Sequence, residues 1–270
     1  MGENRRRALL MRVLSSIILI PIVIAAVTYG GTAFVLLIAF MMAAMLYEWS
    51  RMVEGVAFAR GFWMLAAIAA AAIISAAFGA FVIAYVIVLA GGAGVLSLTY
   101  RRVQYWLAAA AIYIIAPTLS LAWLRISAPD GMAFTVLLFA IVWSADIGAF
   151  IFGKLIGGPI ISSALSPSKT WAGIGGGIGG GIGAGMTIAP MFFTADAALA
   201  GAFLGGGLGA ASVIGDLAES AIKRHFGIKD ISSFIPGHGG VLDRLDGMIF
   251  ATAAMTSVYF LFMVAAGVVV

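Results

Sequence analysis

Residues 62–98 read FWMLAAIAAAAIISAAFGAFVIAYVIVLAGGAGVLSL, without one Asp, Glu, Lys or Arg. A helix crosses the hydrocarbon core of a bilayer with about 20 mostly apolar residues. This stretch therefore supplies two crossings, 62 to 80 and 81 to 98. Working outward, the same test picks out 13 to 30, 31 to 47, 105 to 124, 132 to 152, 171 to 190, 197 to 215 and 247 to 269. The expected fold is an all-α polytopic membrane protein with about nine transmembrane helices. Composition agrees: 63% of the 270 residues are hydrophobic and 10% charged, where soluble domains carry about 45–50% and about 25%.

Basic residues then orient the chain, because Lys and Arg concentrate in cytoplasmic loops. With the N-terminus in the cytoplasm, Arg51 and Arg60 share one cytoplasmic loop, Arg101 and Arg102 the next, then Lys154 and Lys169, and finally Lys223, Arg224, Lys229 and Arg244. Of the fifteen Lys and Arg residues only Arg125 falls outside. Adding or deleting one span would scatter the later charges to the wrong side. Nine spans put the C-terminus outside. Trp49, Trp63, Trp106, Trp123 and Trp171 fall near the span ends, where an amphipathic ring suits the headgroup region.

Several classes drop out. The net charge of +4 is accounted for by positive-inside loops and calls for no nucleic acid partner. Absence of cysteine excludes disulfides, a thiolate nucleophile and zinc–thiolate sites. Glu3, Arg5, Arg6 and Arg7 precede an apolar run as in a signal peptide, but the many later spans favour an uncleaved first helix. Ionisable groups gather between Trp143 and Asp246. A single membrane domain is expected, with scaffold-like spans in 1–125 and catalytic spans in 126–270.

Asp146 lies inside the sixth span, where a carboxylate costs about 2.5–3.5 kcal/mol and is a functional candidate by default. Ser166-Pro-Ser-Lys169-Thr170 precedes a helix starting at Trp171, a place where free N–H groups and the helix dipole favour phosphate; an N-cap plus one positive-inside lysine explains the same residues. The glycine run from Gly173 to Gly185 reads as close helix packing rather than a phosphate loop, and Gly205-Gly206-Gly207 reads as its counterpart on a facing helix. Asp216, Glu219 and Lys223 share one helix face. His225 reads as a surface residue. Pro236-Gly-His-Gly-Gly-Val-Leu-Asp-Arg-Leu-Asp246 runs straight into the last span. Asp243 and Asp246 at that helix start would repel by about 3 kcal/mol at an effective dielectric near 20, and a divalent cation with oxygen ligands, Mg²⁺, would offset this.

The 27 residues from Ser220 to Asp246, SAIKRHFGIKDISSFIPGHGGVLDRLD, resemble without a gap the signature of the phosphatidate cytidylyltransferases, or CDP-diacylglycerol synthases. The similarity extends back through Ser166-Pro-Ser-Lys169-Thr170 and Asp146. Ala172 departs from it, since family members often carry Glu or Gln there. The resemblance implies Mg²⁺-dependent transfer of the cytidylyl group from CTP to phosphatidate, with release of pyrophosphate, by a homodimer. The compactness of the chain suggests the cell (inner or plasma) membrane, and the basic loops set the active site on the cytoplasmic face. Phosphatidate already carries a nucleophilic phosphate, so such an enzyme must mainly position and neutralise two polyanions. On that reading Asp216, Asp243 and Asp246 bind the metal, with Asp146 a further ligand and a second cation allowed. Asp243, Asp246, Lys223 and Arg224 are the catalytic set. Ser166, Lys169, Thr170, Lys229, His238, Gly239, Gly240 and Arg244 hold substrate phosphates.

A secondary transporter would place its site near the midplane between inverted repeats, and no internal repeat is visible. A CTP-dependent lipid kinase or an alcohol phosphotransferase is the nearer rival. The latter would need an Asp-Gly-Ala-Arg type pattern, which the chain lacks.

Overall fold

The computed structural model describes residues 2–98, 103–162, 166–232, 234, 235, 237, 239–265 and 267. His238 and the loop arginines Arg101 and Arg102 lie outside the described residues. Among those described, the helices are α1 (Gly2–Tyr29), α2 (Gly31–Glu54), α3 (Arg60–Ala77), α4 (Phe81–Leu98), α5 (Val103–Ala110), α6 (Ala116–Ile126), α7 (Gly131–Leu155), α8 (Trp171–Phe192), α9 (Ala197–His225) and α10 (Leu242–Ala265). A π-helical turn, Ala111–Ile115, joins α5 to α6 into one rod. Pro117 brings no N–H to the carbonyl four residues back, a defect the wider turn accommodates. An antiparallel hairpin, β1 (Ile160–Ser162) and β2 (Ser166–Thr170), is an addition to the expected all-α plan.

Among the described residues six helices are long and apolar enough to cross a membrane, and Val13–Tyr29 and Phe81–Ser97 are shorter apolar helices. Large apolar side chains such as Leu36, Ile74, Val82, Leu89 and Phe203 are exposed. Apolar surface on that scale suits lipid rather than water. The chain is a multi-pass helical membrane protein. Several helices outrun the apolar stretches that announce them: α2 continues to Glu54 and α9 to His225, because polar residues extend a helix as readily once it has begun.

The chain forms two compact units. The first comprises the residues up to Met132 together with Phe226–Leu245. Its core holds Phe34, Met42, Met45, Leu46, Trp49, Leu65, Leu107 and Leu119, all essentially sealed from solvent. Trp49 thus corrects the expectation of a headgroup-facing ring: it is 1% exposed. Its indole N–H donates to the Trp106 carbonyl at 2.8 Å, the partner a buried indole requires. Trp63 and Trp171 do lie on the surface, 62% and 60% exposed. Helix α2 ends on Gly55 at φ 74°, whose N–H reaches the Arg51 carbonyl, a left-handed cap open to glycine.

The second unit comprises Ala133–His225 and the chain from Asp246 onward. Here the glycine run does what small residues do between membrane helices. Gly181 and Gly185 of α8 press on the backbone of Gly205 and Gly201 of α9, while Gly176 and Gly180 press on Gly148 and Ser144 of α7. Gly175, Gly179 and Gly183 meet nothing within 4 Å. One helix therefore uses two glycine faces to draw two neighbours into backbone contact.

Candidate active site

Close approach of α9 and α10 creates the first cluster, in the second unit. A side chain at Gly215 would meet the Asp246 carbonyl oxygen at 2.5 Å, and one at Gly247 would strike Ser212. Glycine at both positions lets the helices touch, which sets the Asp246 carboxyl against the carboxyls of Asp216 and Glu219. Asp246 Oδ1 also accepts the Gly247 N–H at 2.8 Å. Two lysines reach the same acids. Lys169 Nζ lies 3.1 Å from Asp216 Oδ2, and Lys223 Nζ lies 2.9 Å from Glu219 Oε2.

The hairpin and the helix spacing explain how these lysines arrive. Strand β2 carries Lys169 in the residues just before α8, and Thr170 caps that helix by accepting the Gly173 N–H at 3.1 Å. Thr170 is therefore the N-cap of α8. Lys223 stands four residues after Glu219, the favourable order along a helix. The Glu219–Lys223 pair is deeply placed, with side chains 2% and 14% exposed, whereas Lys169 and Asp216 keep 25% and 33%. Within the cluster two ammonium groups face three carboxyl groups.

A second constellation belongs to the first unit. Glu48, on α2 and 0% exposed, accepts the Val241 and Leu242 N–H groups at 3.0 and 2.8 Å and the Ser232 hydroxyl at 2.5 Å. Each bond to a charged group contributes about 1.5–3 kcal/mol, so a buried carboxylate is tolerable here. Asp243, in the first turn of α10, accepts through Oδ2 the N–H groups of Gly240 at 3.0 Å and Ile231 at 3.4 Å. Gly240 is buried between the two acids: a Cβ there would lie 2.9 Å from Asp243 Oδ2 and 3.0 Å from both Glu48 oxygens. Gly239, at φ 93°, pairs with Ile235 in an isolated bridge.

The remaining candidates stay at the surface. Arg224, Lys229, Arg244 and His225 are exposed, as are Ser168 in β2 and Asp146 on α7. Ser166 Oγ is 3.5 Å from Ser168 Oγ.

With this geometry in view, the comparisons decide the family. The model of the cytidylyltransferase family matches residues 10–262. The chain belongs to the cytidylyltransferase family. Among relatives named phosphatidate cytidylyltransferase, one from Brucella suis biovar 1 is 36% identical over 247 residues, covering 90% of each chain. One from Pseudomonas aeruginosa is 44% identical over 117 residues, 43% of each chain. One from Synechocystis is 41% identical over 127 residues, 45% of this chain and 41% of that one.

For a cytidylyltransferase, two buried acids stand out that sequence reasoning leaves outside the site. Glu219 shows itself on the shared face of Asp216 and Lys223, yet its burial is invisible in a cytoplasm-facing ladder. Glu48 ends an apolar run beside Trp49; an acid there looks like a span boundary because the positive-inside rule weighs only Lys and Arg.

Proposed function

We propose that the chain transfers the cytidylyl group of CTP to phosphatidate, giving CDP-diacylglycerol and pyrophosphate, and that Lys169, Asp216, Glu219, Lys223 and Asp246 form the heart of that site. The cluster carries the reading: family membership names a cytidylyl transfer, and a phosphate-to-phosphate transfer needs opposed charges held in fixed places. In the resting protein Lys169 and Lys223 hold carboxylates. Substrate phosphates compete for those same ammonium groups, so the lysines are stabilised before substrate arrives and are positioned when it does. Arg224, Lys229 and Arg244 stand exposed, where the two guanidinium groups can meet phosphate in bidentate fashion and the Lys229 ammonium adds a point charge.

Mg²⁺ fits the donors present. Among the described residues no three His, Cys, Asp or Glu side chains form a ready-made metal cage. Mg²⁺ does not ask for one, since it keeps waters and uses one or two carboxylates with substrate phosphates. Asp216 and Asp246 would hold it; the sequence adds Asp243 to that set and Asp146 as a further ligand. Bound there, it would supply charge neutralisation for the triphosphate and the departing pyrophosphate.

The finer topology belongs to the same proposal: nine crossings, the N-terminus and the reacting groups in the cytoplasm, and the cell membrane as the site. CTP then arrives from the cytosol and phosphatidate from the inner leaflet. A homodimer rests on family resemblance, and sedimentation of the purified protein in detergent tests it. Position-specific labelling tests the chemistry. CTP labelled at the α-phosphorus must leave its label in lipid, and CTP labelled at the γ-phosphorus must leave it in pyrophosphate. Label from the γ position appearing in lipid would refute the proposed reaction.

A further inference from the structure

We propose that Glu48, on the second helix of the chain, is a positioning residue for cytidylyl transfer, acting through the loop that presents Asp243. The inference rests on the reading that Asp243 serves the reacting phosphates. Glu48 lies 184 to 194 residues from its three partners, so nothing local requires it to meet them. Its carboxylate takes the N–H groups of Val241 and Leu242 at the start of α10. A negative group at that end also complements the helix dipole. The next residue is Asp243, whose carboxylate is oriented by the Gly240 and Ile231 amides. The same short backbone thus ties two carboxylates together: Glu48 holds the Val241 and Leu242 amides, and the amides of the adjoining Gly240 and of Ile231 hold Asp243. Gly240 leaves no room for the arrangement to shift, being packed against both acids.

Glu48 is itself held. The neighbouring Trp49 is hydrogen-bonded to Trp106 and stacked 5.2 Å from Tyr113, and Trp106 packs on Phe226 at the start of the loop at 5.1 Å. Phe40, two turns before Glu48, meets Phe234 at 6.3 Å. Phe226 and Phe234 are thus held by α5 and α2, with the Glu48 carboxylate at the end next to Asp243.

The test uses the purified full chain in detergent with Mg²⁺, CTP and phosphatidate, comparing E48Q, S232A, L65A and D243N. Glutamine keeps the size of Glu48 but turns one acceptor into a donor facing an amide. Groups that orient ligands are worth about 10–100-fold. E48Q is therefore expected to lose at least tenfold in kcat with KM for CTP little changed, and to raise amide exchange in residues 229–245. L65A, which opens the core of the same unit at a residue buried away from the carboxylate, is expected to lower the melting temperature while keeping kcat. Wild-type kcat in E48Q, or an equal kcat loss in E48Q and L65A at equal thermal destabilisation, overturns the proposal. Should E48Q fail to fold, S232A decides: a lower kcat with faster loop exchange supports the role, and unchanged values of both overturn it. D243N separates the two claims. An active D243N defeats the reading of Asp243 itself, whereas an inactive D243N beside a fully active E48Q defeats only the role of Glu48.

Discussion

Lys223 shows how much a single charge carries, because it meets Glu219 at 2.9 Å in a nearly dry setting. Replacing it by alanine leaves that carboxylate without its ammonium partner and removes a phosphate-holding cation. The expected loss is roughly 10²-fold in turnover, comparable to losing one preorganised transition-state donor, measured as CDP-lipid formed per enzyme. Asp246→Asn keeps the shape, relieves repulsion from Asp216 and Glu219, and removes a candidate metal ligand. Turnover should vanish while the melting temperature holds or rises; near-normal turnover would withdraw Asp246 from the site. As candidates, Asp216, Lys169, Lys223 and Asp246 are legible, because acids and cations beside apolar spans stand out against a nearly uncharged chain. Glu48 and Trp49 are not. Burial at a helix end depends on which neighbour arrives, and neither residue's own sequence surroundings record that the 226–241 segment or Trp106 would cover it.

Helices were legible as elements wherever an unbroken apolar run could speak for itself, as in 62–98. Their ends were less so: α9 runs ten residues past the predicted limit at 215, to His225, because polar residues extend a started helix without an apolar signal. The hairpin escaped notice since β1 and β2 are short and carry no alternating pattern. The glycine run was read correctly as packing, and the structure separates its faces. Gly201 abuts the Gly185 backbone, whereas Gly183 faces open space. Gly201→Val should therefore destabilise by about 1–3 kcal/mol or more through overpacking. Gly183→Ala should be neutral or stabilise by up to about 1 kcal/mol through helix propensity. Thermal melts in detergent compare the two, and equal losses would contradict the assignment of faces.

For the whole molecule, the charge asymmetry makes topology testable. Arg125, the lone basic residue assigned outside, donates from Nε to the Val27 carbonyl at 2.6 Å and from Nη2 to the Thr28 carbonyl at 3.1 Å. It caps the end of α1, as a cation at a helix C-terminus should, a role that would account for a lone outside charge in the proposed topology. With single cysteines introduced into this cysteine-free chain, Asp230→Cys should react with an impermeant thiol reagent only from the cytoplasm and Ser127→Cys only from outside. Both reacting from one side would end the nine-crossing arrangement. Attack of the phosphatidate phosphate on CTP is tested by comparing acceptors. Purified protein with CTP and Mg²⁺ should release one pyrophosphate per CDP-lipid with phosphatidate and none with diacylglycerol, which lacks the attacking phosphate; release of CDP with diacylglycerol as acceptor would show a CTP-dependent lipid kinase instead.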